Sequence, residues 1–130
     1  MIYLDSSVAL AYLLAEDRSP PDELWDEQLV SSRLLECEVW NRINAQQLHD
    51  SHGDAVRNLI GRVAMIEMVG PVLTRSLQAF PVPVRTLDAI HLGAMEFIRA
   101  QKQLVQLASY DQRLIAAARL LGISEWNASR

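Results

Sequence analysis

Met1-Ile2-Tyr3-Leu4-Asp5-Ser6-Ser7-Val8-Ala9-Leu10 opens the chain. Ile2-Tyr3-Leu4 reads as a short buried strand, and Asp5-Ser6-Ser7 stops it. A serine then caps a helix over 8–15. Working outward, Pro20-Pro21 breaks the chain, and Asp22 caps a short helix to about residue 29. Leu29-Val30 reads as a brief strand, and Ser31-Ser32 caps a long helix over 33–49. Asp50-Ser51-His52-Gly53-Asp54 carries turn chemistry, followed by a helix over 55–62 and a strand over 63–69 closed by Gly70-Pro71. A helix spans 72–79, and Pro81 and Pro83 keep the next link extended. Thr86 starts a helix over 86–102, and 104–108 is a strand. Ser109-Tyr110-Asp111 turns into a helix over 112–121, ended by Gly122, and Ile123 opens a final edge strand. The strands are short apolar runs without alternation, and helices separate them. That pattern predicts an α/β fold with a parallel sheet covered on both faces. Ligands in such folds bind outside the carboxyl ends of the strands, and Asp5 and Asp111 each fall just after one.

The bulk numbers set limits. A chain of 130 residues, half of them hydrophobic and 22% charged, is expected to form a single domain over 1–130. No apolar run approaches the roughly 20 residues of a membrane helix. Asp5 interrupts the apolar start and no basic segment precedes it, which argues against a secretory signal. A lone cysteine, Cys37, forms no internal disulfide, so a reducing cytoplasm is the expected location. The net charge of −4 argues against a broadly phosphate-binding surface. Eleven of the 12 basic residues are nonetheless arginine, suited to bidentate phosphate contacts. A metal ion held by some of the acids would reverse the local field.

Four acids stand out: Asp5, Glu38, Asp88 and Asp111. Asp5 and Asp111 each precede a helix and could be caps, although Ser6 and Ser7 make an acidic cap on the first helix superfluous. Glu38 has Leu34, Leu35, Asn41 and Arg42 as helical neighbours, and a surface ion pair with Arg42 is its plain alternative. Glu36 is a rival that periodicity does not separate from it. Asp88 lies at the mouth of a helix apolar nearly all round, where a carboxylate needs a partner. His91, three residues on, reads as a hydrogen-bonded structural residue more readily than as a metal ligand. Two carboxylates ~5 Å apart repel by about 3 kcal/mol at an effective dielectric of 20. A cluster of them therefore calls for protons, arginines or a cation. All-oxygen donors favour Mg²⁺ or Mn²⁺ over zinc. Asp5 and Asp88 are the expected direct ligands, with Glu38 and Asp111 acting through water or at a second metal position.

These stretches resemble the PIN-domain family, and within it the VapC-like toxins of toxin–antitoxin pairs. Residues 1–7 are similar to the family's opening, an apolar strand ending in Asp followed by Thr or Ser. Ser32-Arg33-Leu34-Leu35-Glu36-Cys37-Glu38 resembles the second motif, whose spacing selects Glu38 over Glu36. Arg85-Thr86-Leu87-Asp88-Ala89-Ile90-His91-Leu92 is similar to the third and is the most specific. Ser109-Tyr110-Asp111-Gln112-Arg113-Leu114 looks like the last, with Ser109 where Thr is usual. The resemblance implies a three-layer α/β/α sandwich and Mg²⁺- or Mn²⁺-dependent endoribonuclease activity. It also implies a homodimer and a cognate antitoxin protein occupying the acidic groove.

On that reading, water activated by the metal attacks the RNA phosphorus in line and leaves 5′-phosphate and 3′-hydroxyl ends. Ser6 and Ser109 are candidates for positioning water or phosphate oxygens, and Arg85 for a phosphate contact or a structural ion pair. The competing reading is a catalytically silent module of the same fold that only binds a partner protein. Other enzyme classes fit worse. Position 7 is Ser, not the second Asp of a haloacid-dehalogenase-type phosphatase. No glycine-rich dinucleotide or triphosphate loop is present, and Cys37 within a helix is a poor nucleophile. Trp25 and Trp126 are the candidates for contact with a second copy or an antitoxin.

Overall fold

In a computed structural model of the chain, which describes residues 1–127, β1 (Ile2–Leu4) leads through Asp5 into α1 (Ser6–Leu13). A 3₁₀ turn (Asp22–Asp26) precedes β2 (Leu29–Ser32), α2 (Leu34–Ala45), α3 (His49–Gly61) and β3 (Ala64–Ile66). Then come α4 (Gly70–Ser76), α5 (Thr86–Ala100), β4 (Gln106–Ala108) and α6 (Gln112–Leu120). The strands form one sheet in the order β3-β2-β1-β4, and every pairing is parallel. Tyr3 sits opposite Val30 on one side and Leu107 on the other, so β1 is internal and its carboxyl end is flanked by those of β2 and β4.

The pleat sends successive β1 side chains to opposite faces. Ile2 and Leu4 join a core built with α1, α2 and α3, where Leu35, Val39, Ile43 and Val56 are buried. Tyr3 joins the other core, with Leu92, Met95 and Ile98 of α5, Val72 of α4 and Leu114 of α6. The result is a three-layer α/β/α sandwich, as expected. Each fully buried leucine contributes about 1.5–3 kcal/mol relative to exposure.

Helix α5 is the most deeply set, with residues 91–95 all buried. Gly93 is what lets α4 cross it. A Cβ there would lie 2.8 Å from the carbonyl oxygen of Val72, closer than such atoms tolerate.

Three expectations are corrected. The long helix over 33–49 and the turn at 50–54 are replaced by a break at Gln46-Gln47, and 50–54 is the first part of α3. Gln47 has φ 58°, Gln47 N–H donates to the carbonyl of Asn44, and Leu48 N–H donates to that of Ile43. This is the Schellman pattern, made here without glycine. Second, α1 begins at Ser6, and no side chain caps it, because Ser7 turns to Asp5 instead. Third, the final edge strand reduces to one parallel bridge between Leu107 and Glu125.

Candidate acidic site

At the carboxyl edge of the sheet, β1 and β4 end side by side, and Asp5 N–H donates to the carbonyl of Ala108 at 3.0 Å. Asp5 is buried, at 5% exposure. Its Oδ2 accepts from the hydroxyls of Ser7 at 2.6 Å and Ser109 at 2.8 Å. Each serine is fixed in turn. Ser7 Oγ accepts from Tyr110 N–H and Ser109 Oγ from Asp111 N–H, both at 2.9 Å. The two turns leaving the neighbouring strands are thus stitched together around one carboxylate oxygen. Charge-assisted bonds of this kind satisfy a buried carboxylate that would otherwise be costly.

Asp111 caps α6, its Oδ1 accepting from Arg113 N–H at 3.0 Å and Leu114 N–H at 3.3 Å. The plain cap reading of this residue therefore holds. Glu38 does not pair with Arg42, whose partner is Glu16 at 3.7 Å. Its Oε1 instead meets Nε2 of His91 at 2.6 Å. The periodicity ambiguity resolves geometrically: Glu36 turns outward to Arg33, while Glu38 turns toward α5. His91, 1% exposed, has its other ring nitrogen 2.7 Å from Tyr3 Oη, so it is hydrogen-bonded in the core as the sequence reading preferred.

Asp88 is half-buried in the first turn of α5. It was expected to need a partner, yet no hydrogen bond or ion pair reaches it among the described residues. The helix mouth leaves it partly in water, which lessens the penalty. Burial raises its carboxyl pKa above the ordinary value, and the charges of Asp111 and Asp5 push it the same way. His91 and the exposed Arg85 pull it down. His91 is itself raised above its ordinary value. Burial, the largest influence on it, acts against the shift, and the Glu38 carboxylate outweighs it, aided by Asp5 and Asp88. The four acidic positions thus share one electrostatic neighbourhood.

They do not form a closed cage. Among the described residues, no three His, Cys, Asp or Glu side chains come together closely enough to hold a metal ion. That leaves open a site of two direct carboxylates, Asp5 and Asp88, with Glu38 and Asp111 further out. The donor set still suits one type of cation. Among the described residues, hydrogen bonds occupy only Oδ2 of Asp5, Oε1 of Glu38 and Oδ1 of Asp111. Each of those acids keeps one oxygen open, and Asp88 keeps both. Mg²⁺ takes one or two carboxylates directly and retains several waters, so it needs no protein cage.

Ser7 and Tyr3 are the polar groups that sequence reasoning missed. The sequence reading names Ser6 as a positioning residue, but Ser6 makes no side-chain hydrogen bond among the described residues, whereas Ser7 bonds Asp5. Tyr3 carried a signal: a phenol in the middle of a buried strand must find a polar partner. Trp25 and Trp126 are half-buried and pack against the α1–α3 core. The fully presented apolar side chains lie elsewhere, at Leu77 and Leu104.

A parallel α/β/α sandwich with acids at the carboxyl ends of two adjacent strands defines the class. The chain belongs to the PIN domain family, which it matches over residues 2–121. Among curated relatives, it is 30% identical over 126 residues to ribonuclease VapC46 of Mycobacterium tuberculosis (strain ATCC 25618 / H37Rv), covering 95% of this chain and 94% of that protein. Ribonuclease VapC47 of Mycobacterium tuberculosis (strain CDC 1551 / Oshkosh) is 27% identical over 129 residues, covering 94% and 93% respectively. Ribonuclease VapC35 of the same strain is 29% identical over 130 residues, covering 95% and 94%. No helix among the described residues is long and apolar enough to cross a membrane.

Proposed function

We propose that this protein is a divalent-metal-dependent endoribonuclease, the toxin of a toxin–antitoxin pair. The observation that carries the reading is the buried Asp5 carboxylate, pinned through one oxygen by Ser7 and Ser109, whose charge, with that of Asp111, reaches Asp88. A scaffold needs no such arrangement. The full-length likeness to proteins named ribonuclease VapC supports the substrate class and the toxin role.

Asp5 and Asp88 would hold Mg²⁺ or Mn²⁺ directly, with Glu38 and Asp111 reaching it through water. When bound, the cation supplies the positive charge that stabilises the phosphate and makes water acidic enough to react near neutral pH. The protein's own part is positional. Ser7 and Ser109 hold the Asp5 carboxylate in one orientation, and their exchange of bonds with Tyr110 and Asp111 fixes the turn against α1. Asp88 is the acid whose charge burial, Asp111 and Asp5 disfavour, so a cation would relieve it most directly. Ser6 and the exposed Arg85 are near enough in sequence to the acids to meet water or phosphate at the rim.

Two partners go with this reading: a cognate antitoxin covering the acidic groove, and a second copy of the chain in a homodimer. The chain would work in the cytoplasm. End-labelled RNA incubated with Mg²⁺ or Mn²⁺, with and without EDTA, tests the chemistry. Cleavage is expected only with the cation, leaving 5′-phosphate and 3′-hydroxyl ends. Cyclic 2′,3′-phosphates or EDTA-resistant cutting would refute the mechanism. No cleavage under any condition, with retained partner binding, would favour the silent module.

A further inference from the structure

Tyr3, His91 and Glu38 are brought into line from β1, α5 and α2, across separations of 88 and 53 residues. Tyr3 and His91 are almost wholly withdrawn from solvent, at 0% and 1% exposure. Their rings meet edge to face, with centroids 5.6 Å apart and planes at 80°. Tyr3 Oη accepts from the backbone N–H of Ser32, at the end of β2, at 3.2 Å. It lies 2.7 Å from His91 Nδ1, and His91 Nε2 lies 2.6 Å from Glu38 Oε1. Two polar rings set this deep disfavour folding unless each is bonded, and here each is.

We propose that His91 is a positioning residue, which takes its own orientation from Tyr3 and uses Nε2–H to aim the Glu38 carboxylate at the acidic edge. This rests on the nuclease reading, in which Glu38 serves the cation.

Hydrogen bookkeeping sets the direction. An ionised carboxylate only accepts, so the hydrogen in the His91–Glu38 contact belongs to Nε2. Tyr3 Oη already accepts from Ser32, and it can either donate to Nδ1 or accept from it. The relay therefore works for neutral and charged imidazole alike, and excludes only the neutral tautomer with its hydrogen on Nδ1. Glu38 is the most exposed member, with 21% of its side chain accessible, and α2 alone would leave its three side-chain torsions free. Committing Oε1 to His91 removes that freedom and leaves Oε2 without a hydrogen bond among the described residues. The group that orients the acid is thus buried, while the oxygen left over stays within reach of a ligand. Outer partners of this type typically alter metal affinity or activity by about 10- to 100-fold when removed.

The test uses the full chain, first without cation. ¹⁵N NMR of the imidazole should show a hydrogen on Nε2 in wild-type protein. A neutral ring carrying its hydrogen on Nδ1 alone would overturn the proposal. Mn²⁺ binding is then followed by electron paramagnetic resonance for wild type, His91→Leu, His91→Gln and Tyr3→Phe. His91→Leu should bind Mn²⁺ about 10- to 100-fold more weakly. His91→Gln, which returns an N–H near the Nε2 position, should recover most of that loss. A folded His91→Leu with wild-type Mn²⁺ affinity would overturn the role of His91 alone. Wild-type protein that takes up no Mn²⁺ would overturn the nuclease reading and this role together. If His91→Leu does not fold, Tyr3→Phe decides. Loss of the ordered Nε2 signal with weaker Mn²⁺ binding supports the relay, and an unchanged signal and affinity overturns it.

Discussion

Asp5 and Asp88 lie close enough for the charge of one to reach the other, yet their surroundings differ in kind. Asp5 is buried at 5% exposure and receives two serine hydroxyls from two different turns. Asp88 is half in water, has no hydrogen bond among the described residues, and is pushed toward its neutral form by burial and by Asp111 and Asp5. One carboxylate is fully prepared before any ligand arrives, and the other is held by no hydrogen bond or ion pair among the described residues, with Arg85 and His91 only partly offsetting its negative neighbours. The contrast teaches where the fold has spent its rigidity. It is concentrated in the β1–β4 corner, while the mouth of α5 holds unrelieved negative charge that a cation would stabilise.

The strongest way to break this contrast is to remove the prepared acid. Asp5→Ala should lower RNA cleavage by at least ~100-fold in a single-turnover assay, since cation charge stabilisation amounts to several kcal/mol. Cleavage within a few-fold of wild type would show that the prepared carboxylate is only architectural.

A smaller effect is expected from the hydroxyls. Ser7→Ala or Ser109→Ala should destabilise the chain by about 1.5–3 kcal/mol, the usual range for a hydrogen bond to a charged group, as read from urea unfolding. Each should also slow cleavage, because the Asp5 carboxylate loses one of its two anchors.

Asp111 separates capping from charge. Asp111→Ala should cost about 1 kcal/mol through loss of the α6 cap, whereas Asp111→Asn should keep most of that stability because Asn caps as well as Asp. If the acid matters beyond the cap, Asp111→Asn should still cleave more slowly. Equal activity and stability in Asp111→Asn and wild type would reduce Asp111 to a cap.

The smallest effect is the most diagnostic of the α5 side. The folded pKa of Asp88 lies above its ordinary value of 3.8, so the folded state binds this proton more tightly than the unfolded chain does. The resulting stabilisation is complete below about 3.8 and disappears as pH rises through the folded value. Cation-free Asp88→Asn should therefore match wild type at low pH and become the more stable protein near neutrality. Partial exposure screens the effect to about 0.5 kcal/mol or less. Thermal melts of both proteins across this pH range check it, and a less stable Asp88→Asn at neutral pH would contradict the picture of unrelieved charge.

Much of this is legible in the sequence. The strand ends at Leu4 and Ala108 were readable because an apolar run stopped at small polar residues, and Thr86 marked the start of α5. What could not be read was the end of α2. Its left-handed residue is Gln47, and the ends of α1 and α5 likewise carry Ala15 and Lys102 at positive φ. None of these is the glycine that announces such a turn, whereas Gly122 after α6 is. The four acids stand out in the sequence from their elements and from the motif resemblance, and the structure places Asp5 and Asp111 just after β1 and β4, Glu38 on α2 and Asp88 in the first turn of α5. The choice of Ser7 over Ser6 was not, since it depends on the rotational phase of the first turn of α1. The Tyr3–His91–Glu38 line was hidden for a different reason: its members lie far apart in sequence, and only the folded layers bring them together.

The bond from Ser109 to Asp5 spans 104 residues. During synthesis the opening acid leaves the ribosome long before its clamp exists. A nascent chain lacking β4 has β1 without one of its two flanking strands and Asp5 without one of its two hydroxyls. The Asp5 corner is therefore complete only once β4 and Ser109 are in place. On the reading proposed above, nuclease competence waits until β4 has docked beside β1 and Ser109 has reached Asp5.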